Sequence, residues 1–392
     1  MTHEVESSVL DEVIQVLSEE GFEGLAEVLR VLFNEVMKIE RSVFLQAGSH
    51  ERTADRQGYA NGFKDKTIRT RVGELPLRIP QVRDLAPGIE GFYPRSLEKG
   101  LRSERALKLA LAEMYVKGVS TRNVQDITEV MCGFEVSSTQ VSRAAAALDE
   151  ELERWRTRPL GETPYLVLDA RYEKIRHGGS VLDAAVLIAA GVRPDGRRSV
   201  LGVSVSLSEA EVHWRRFLTS LTRRGLCGVR FITSDDHEGL RAARQAVFAG
   251  IPWHRCQTHL QRNALRYVPK VAMKSTAAHE LRVIFNADSR QDADRKLAAF
   301  VERYRKTAPA LATWADKNVP EGLTVLQLPP YHRTRMRTTN GLERLNREIK
   351  RRTRVATLFP NEASCLRLVT AIVMEISEEW ETNRIYLNME SE

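Results

Sequence analysis

The chain has 392 residues, enough for two or three domains with at least one sizeable core. Its 59 Lys and Arg outnumber 52 Asp and Glu, for a net charge of +7 that leans toward a polyanionic partner. Its four cysteines, Cys132, Cys227, Cys256 and Cys365, form no Cys-x-x-Cys pair, which argues against a disulfide framework or a four-cysteine zinc site. No basic-then-apolar leader opens the sequence and no apolar run reaches about 18 residues, so a soluble intracellular protein is expected.

From about Leu10 to Gln46, apolar residues including Leu17, Leu25, Leu29, Leu32 and Val36 recur at helical spacing, with a break expected at Gly21. Residues 1–50 therefore read as a helical region, either a local bundle or an oligomerisation element. Residues 51–100 read as a small basic β-hairpin unit. There Asn61-Gly62 is a turn signal, and Ile68, Val72, Leu75, Leu77 and Ile79 alternate with Arg69, Arg71 and Arg78. The density of Lys and Arg between Arg56 and Arg83 favours phosphate contact over a merely solvated face.

Residues 101–158 read as a helical DNA-binding unit of helix-turn-helix type. One helix runs from about Arg105 to Lys117 and stops at Gly118; Ser120 caps a second that ends at Cys132 before Gly133; Ser137 or Ser138 caps a third from Thr139 to Trp155. Gln140, Ser142 and Arg143 would face a major groove, and plain three-helix packing is the alternative.

Residues 159–262 carry the fold assignment. Tyr165-Leu-Val-Leu-Asp169 is an apolar strand holding one acid, and it continues into basic alternation through Tyr172, Lys174 and Arg176. A carboxylate in a buried strand must be paired, hydrogen-bonded or holding a cation. Strands follow at 181–191 and 199–206, then a helix from about Glu209 to Arg224, a strand from Val229 to Ser234, a helix from Glu238 to Phe248 and a short strand at 251–254. This β-β-β-α-β-α-β order predicts an α/β fold with a ribonuclease-H-like mixed sheet, its first and fourth strands adjacent, so that Asp169 and Asp235 are neighbours. The doublet leaves the register open between Asp235 and Asp236: strand direction favours Asp235, and Asp236 equally suits the cap of the next helix. Residues 263–330 read as an all-helical insertion. Residues 331–392 return to the core through a basic segment, a helix carrying Glu343, and a final amphipathic helix from Leu366 to Trp380.

Glu348 competes with Glu343, but five residues on a helix set the two about 140° apart. Asn340, Arg344, Arg347 and Arg351 share a stripe beside Glu343, which puts the phosphate-facing side there and Glu348 on the opposite side. Three carboxylates from two strands and a helix form an oxygen-rich site suited to Mg²⁺ or Mn²⁺. DNA-contact candidates are Arg143, Lys174, Arg337, Asn340, Arg344, Arg347, Lys350 and Arg351.

Four ordered stretches, Leu-Asp169-Ala-Arg-Tyr172-Glu-Lys174, Ser-Asp235-Asp-His-Glu-Gly239-Leu, Arg255-Cys256-Gln-Thr-His259 and Thr-Thr-Asn340-Gly-Leu-Glu343-Arg-Leu-Asn346-Arg347, resemble the mutator-type family of bacterial insertion-sequence transposases. The similarity extends to the Gly58-Tyr-Ala-Asn-Gly block and the helical unit after Leu101. It implies a DDE transposase with a ribonuclease-H-like core and an all-helical insertion domain. Asp169, Asp235 and Glu343 would be the catalytic and metal-binding triad, and Cys256 and His259 the family's Cys-x-x-His pair. The implied cofactors are two divalent ions, Mg²⁺ or Mn²⁺. The implied partners are double-stranded DNA, as terminal inverted repeats and target, and a second copy of the chain at least. The implied location is the prokaryotic cytoplasm. A DNA-binding protein without catalysis, or a ribonuclease-H-type nuclease or resolvase, is the competing reading.

Overall fold

The computed structural model describes residues 2–354, 358–383 and 385–389, which pack as two compact units, 1–148 and 149–392. In the first unit, helix α1 (Thr2–Glu20) and helix α2 (Leu25–Leu45) are separated by a short 3₁₀ turn that begins at Gly21, where the break was expected. Helix α2 lays Met37 on a hairpin of β1 (Tyr59–Thr70) and β2 (Gly73–Arg83), whose Ile68, Leu75, Leu77 and Ile79 close a small core.

The hairpin corrects one expectation. Its turn lies at Arg71-Val72, with Thr70 paired to Gly73, whereas Asn61-Gly62 sits inside β1 where the register shifts between Ala60 and Phe63. Gly62 has φ +70°, so the glycine serves a β-bulge instead of a reversal.

Helices α3 (Arg105–Val116), α4 (Thr121–Cys132) and α5 (Ser138–Ala146) follow. The Ser120 hydroxyl accepts the Asn123 N–H, Gly133 ends α4 at φ +71°, and Ser137 with Gln140 forms a reciprocal capping box. The third helix does not continue to Trp155. It stops after Ala146, and α6 (Asp149–Thr157) starts afresh in the second unit. The two halves serve different cores: α5 buries Val141, Ala144 and Ala145, while α6 buries Leu152 and its Asp149 accepts from Arg367 at 2.6 and 2.8 Å. Three acids in the first turn of α6 favour a helix start there.

The second unit is α/β, built on a mixed five-stranded sheet ordered β5-β4-β3-β6-β7. Strands β3 (Tyr165–His177), β4 (Ser180–Val192) and β5 (Arg198–Ser206) form an antiparallel meander. Strand β6 (Phe231–Ser234) lies parallel to β3, and β7 (Trp253–Arg255) parallel to β6. The first and fourth strands are therefore adjacent, as expected.

Alternation along β3 sends Leu166 and Leu168 to one face, where they meet α7 (Glu211–Arg223) and α8 (Glu238–Val247) through Trp214, Phe217, Leu218 and Leu240. Tyr165 and Val167 face the other way, into a core shared with α9 (Gln257–Ala264), α10 (Val271–Phe285), α11 (Arg290–Tyr304) and α12 (Pro309–Asn318). The chain returns through α13 (Pro330–Met336), α14 (Asn340–Thr353) and the largely buried α15 (Glu362–Thr382).

Residues 385–389 then strap back onto the β4–β5 turn. The Gly196 carbonyl accepts from Tyr386 N and Leu387 N at 2.9 and 3.1 Å, and the Asn388 carbonyl from His332 Nε2 at 2.8 Å. A Cβ on Gly196 would sit 1.9 Å from the Leu387 carbonyl oxygen, so only glycine admits the strap. Among the described residues, no helix is long and apolar enough to cross a membrane.

Candidate active site

The period of two that turns Tyr165 and Val167 toward helices α9 to α12 also turns Asp169, Arg171 and Glu173 to that face. Strands β3 and β6 pair Tyr165 with Phe231 and Val167 with Thr233; the same register, carried two residues on, brings Asp235 abreast of Asp169 where β6 ends. Helix α14 covers this edge and is braced to β3 at three points. Asn346 Nδ2 donates to Asp169 Oδ2 at 2.7 Å, Arg171 donates to the Asn346 carbonyl, and Thr353 Oγ1 donates to Glu173 Oε1 at 3.0 Å. Arg171 and Glu173 are themselves an ion pair at 2.5 Å.

Asp169 is buried, and burial is the main reason its carboxyl is pushed up to about 7; the Asp235 and Glu343 carboxylates push the same way, and His259 opposes them. Glu343 Oε1 is buried without a hydrogen-bond partner. That orphaned oxygen, and two further carboxylates near enough to act on Asp169, suit a hard divalent cation in donor chemistry. Among the described residues, however, no three His, Cys, Asp or Glu side chains stand close enough together to hold an ion as they lie.

The competing acids are committed elsewhere. Asp236 pairs with Arg241 at 2.6 Å and with the buried Arg255 at 2.9 Å, a cluster that Glu321 completes at 2.9 and 3.1 Å. It does not cap α8, whose first flanking residue is His237. Asp235 is 39% exposed, and its Oδ1 accepts only the neighbouring Asp236 N–H at 2.8 Å. Glu348 pairs with Arg351 at 2.7 Å and Arg352 at 2.8 Å, and the Arg351 hydrogen bonds hold it down at about 2. It does not lie opposite the basic stripe, because it lines the same cavity as Arg344, Arg347 and Arg351. Ion pairing with Arg351, one turn on, draws it to that side.

Cys256 and His259 stand between these pieces. Cys256 precedes α9, and its sulfur accepts from Thr339 N at 3.4 Å and Thr339 Oγ1 at 3.5 Å, tying down the residue that starts the Glu343 helix. Burial works to raise the thiol, but hydrogen bonding from His259 and Thr339 outweighs it and the pKa falls below the ordinary thiol value. Hydrogen bonding with the Cys256 sulfur, helped by the charges of Asp235 and Asp169, in turn raises His259 to about 9. His259 Nδ1 lies 3.9 Å from Asp235 Oδ2. An imidazolium thus stands beside the acids, whereas burial holds His254 down at about 4 and leaves it neutral, its Nε2 donating to the Arg337 carbonyl at 3.0 Å.

Beside α14 opens a cavity of about 1310 Å³ whose lining includes Arg337, Asn340, Arg344, Arg347, Lys350 and Arg351. Six of the eight DNA-contact candidates therefore gather on one wall system. Lys174 is not among them; it pairs with Asp183 at 3.4 Å on the meander. Arg143 is exposed on α5 in the first unit.

A model of transposases of the Mutator family matches residues 1–383. The chain belongs to this family. It is 55% identical, over 99% of both chains, to the transposase for insertion sequence element IS406 of Burkholderia multivorans. It is 44% identical to the transposase for insertion sequence element ISRM5 of Rhizobium meliloti, over 94% of this chain and 91% of that one. It is 34% identical to the transposase for IS256 in transposon Tn4001 of Staphylococcus aureus, over 93% of each.

In this Mutator-family transposase several positions escaped the sequence reading. Asn346, three residues after Glu343 on α14, bonds Asp169, and its helical spacing was the available signal. The braces Arg171, Glu173 and Thr339 carry no comparable signal. Arg198, Arg282 and Arg335 line the cavity from β5, α10 and α13, segments whose meeting is a tertiary fact.

Proposed function

We propose that this chain is a DDE transposase that binds the terminal inverted repeats of an insertion sequence, nicks the ends and joins the freed 3′-hydroxyl to target DNA. What supports this reading is that the β3–β6 register sets Asp235 abreast of Asp169, and that Asp235 and Glu343 both act on the buried Asp169, near a cation-lined cavity along α14. The antiparallel meander followed by two parallel strands supports a ribonuclease-H-like core, with the helices from α9 to α12 as its insertion.

Asp169, Asp235 and Glu343 would hold two Mg²⁺ or Mn²⁺ ions, which when bound supply activation of the attacking oxygen and stabilisation of the leaving one. Asn346 orients the Asp169 carboxylate through its 2.7 Å hydrogen bond. Cys256 fixes the start of α14 through Thr339, and so sets where Glu343 enters. The protonated His259 offsets the charge of the clustered acids. The cationic wall of α14 orients the phosphodiester backbone.

For the first unit, the basic hairpin and the helices α3 to α5 serve end recognition in this reading. Lys64, Lys66, Arg69 and Arg102 line a second cavity of about 820 Å³ there. Two ends joined to one target call for at least a dimer. Leu32, Val36, Ile39 and Val43, all exposed on α2 at spacings of four, three and four, offer an apolar seam for it. The test is incubation of the full chain with labelled terminal-repeat DNA and Mn²⁺ or Mg²⁺. Nicked ends and strand-transfer products that vanish with chelator are expected; DNA binding with no metal-dependent product would refute the enzyme reading.

A further inference from the structure

Arg198, the first residue of β5, lies between two rings. Its guanidinium carbon is 4.1 Å from the Trp380 ring centroid on α15 and 4.2 Å from that of Tyr386 on the C-terminal strap. Arg335 of α13 stacks on Tyr386 at 5.0 Å, and Arg344 of α14 is close enough to repel Arg198. Among the described residues, no carboxylate or carbonyl accepts from the side chains of Arg198, Arg335 or Arg344. The acids on the cavity wall form no ion pair with them among the described residues: Glu348 is held by Arg351 and Arg352, and Glu379 supports the charge of Arg198 only through space.

Burial, with repulsion from Arg344 and Arg335, works against the charge on Arg198. Stacking covers the planar guanidinium and leaves its edge, the part that makes paired hydrogen bonds to phosphate oxygens. Gathering three guanidiniums that no ion pair compensates costs free energy that a bound anion recovers.

We propose that Arg198, clamped by Trp380 and Tyr386 and flanked by Arg335 and Arg344, is a phosphodiester-binding subsite that anchors a DNA backbone phosphate other than the reacting one. Both rings are already stacked on Arg198, so the subsite takes a phosphate and not an unstacked base. Arg347, Lys350 and Arg354 continue the cationic lining, more charge than a single free phosphate needs. Arg344 adjoins Glu343 on α14, pointing about 100° away, so one rigid helix sets the distance from anchor to carboxylate. The strap is part of the site, since its backbone bonds to Gly196 place Tyr386 over Arg198.

The inference rests on DNA being the substrate, and its test is read without metal so that it stands apart from catalysis. Binding of the full chain to terminal-repeat duplex is measured by fluorescence anisotropy in chelator across a salt series, with single neutral methylphosphonates scanned along each strand. For the wild type, one or two positions are expected to weaken binding about tenfold. Arg198→Ala should lose a similar factor, lower the salt slope by about one, and become insensitive at those positions. Arg198→Lys should not rescue, because the stacked fork is gone. Tyr386→Phe should bind as wild type and Tyr386→Ala should weaken, which keeps the test decisive if the Arg198 variants fold poorly.

An unchanged salt slope and an unchanged methylphosphonate profile in Arg198→Ala would overturn the subsite. So would a thermal shift given by submillimolar inorganic phosphate to the wild type alone, which would assign the site to the free ion. Loss of metal-dependent products with the binding pattern intact would overturn the carboxylate mechanism and leave the subsite standing.

Discussion

Replacing Asp169 by asparagine separates a catalytic carboxylate from a structural one, and the structure predicts opposite signs for the two. The carboxyl moves from 3.8 to about 7 in the fold, chiefly through burial. The folded chain therefore holds a proton that the unfolded chain has released between those values, and this group's contribution to stability falls as pH rises from about 4 to 7, then stays flat. At roughly 1.4 kcal/mol per pKa unit, the ionised carboxylate disfavours the metal-free fold by at most about 4 kcal/mol above neutrality. Asparagine keeps an oxygen for the Asn346 amide at 2.7 Å and removes the charge. Asp169→Asn should therefore stabilise the metal-free protein at pH 8 by about 1 to 4 kcal/mol in urea denaturation, and leave it nearly unchanged at pH 4. It should abolish both nicking and strand transfer, and Mn²⁺ should raise the melting temperature of the wild type and not of the variant. A variant that is less stable at pH 8 and still cuts DNA would refute the reasoning, making Asp169 a member of a structural ion pair.

Asp236→Asn should behave in the reverse way, losing about 2 to 3 kcal/mol because the buried Arg255 keeps one carboxylate, Glu321, and the neutral Asn318, while the folded fraction retains its cleavage rate per molecule. His259, raised from 6.5 to about 9 by the Cys256 sulfur, contributes stability that is full below 6.5 and lost as pH rises through 9. Cys256→Ala should flatten that part of the melting-temperature profile and weaken Mn²⁺-dependent cleavage, with Cys256→Ser intermediate; an unaltered profile would dissociate the pair. Ile39→Glu on the exposed seam of α2 should shift the chain toward monomer in light scattering and suppress paired-end products while single-end binding persists.

The parts of this molecule written in local signals were readable in the sequence. The stops at Gly118 and Gly133, the caps at Ser120 and Ser137, and the break at Gly21 are each set by one residue's conformational preference. The strand order followed from apolar runs separated by turns, and the pairing of the first strand with the fourth placed Asp235 beside Asp169. Where two local signals competed, the sequence was ambiguous. Asn61-Gly62 carries the stronger turn signal, yet the reversal falls at Arg71-Val72, where the packing of Ile68, Leu75 and Leu77 under α2 sets the register and leaves Gly62 in the bulge. The alanine-rich run ending α5 shows no breaker, because the break comes from two cores pulling on either side of Leu148. Arg198 was illegible for a similar reason, since its partners arrive from distant segments, whereas Glu348 has its partners Arg351 and Arg352 one turn on along α14, a local signal that was available.

The braces that hold α14 to β3 link residues 175 to 180 positions apart in the chain. Closing a loop of that length costs roughly 4 to 5 kcal/mol of chain entropy before any contact offsets it. Docking of α14 therefore comes late in folding, after the meander and helices α9 to α12 have made their more local contacts. By the same account it is the first association to open under mild denaturant. Cleavage should then be lost at urea concentrations where the helical signal is still whole, a gap that circular dichroism and activity measured on one sample would reveal. Coincident midpoints would mean that α14 and the sheet open as one cooperative unit.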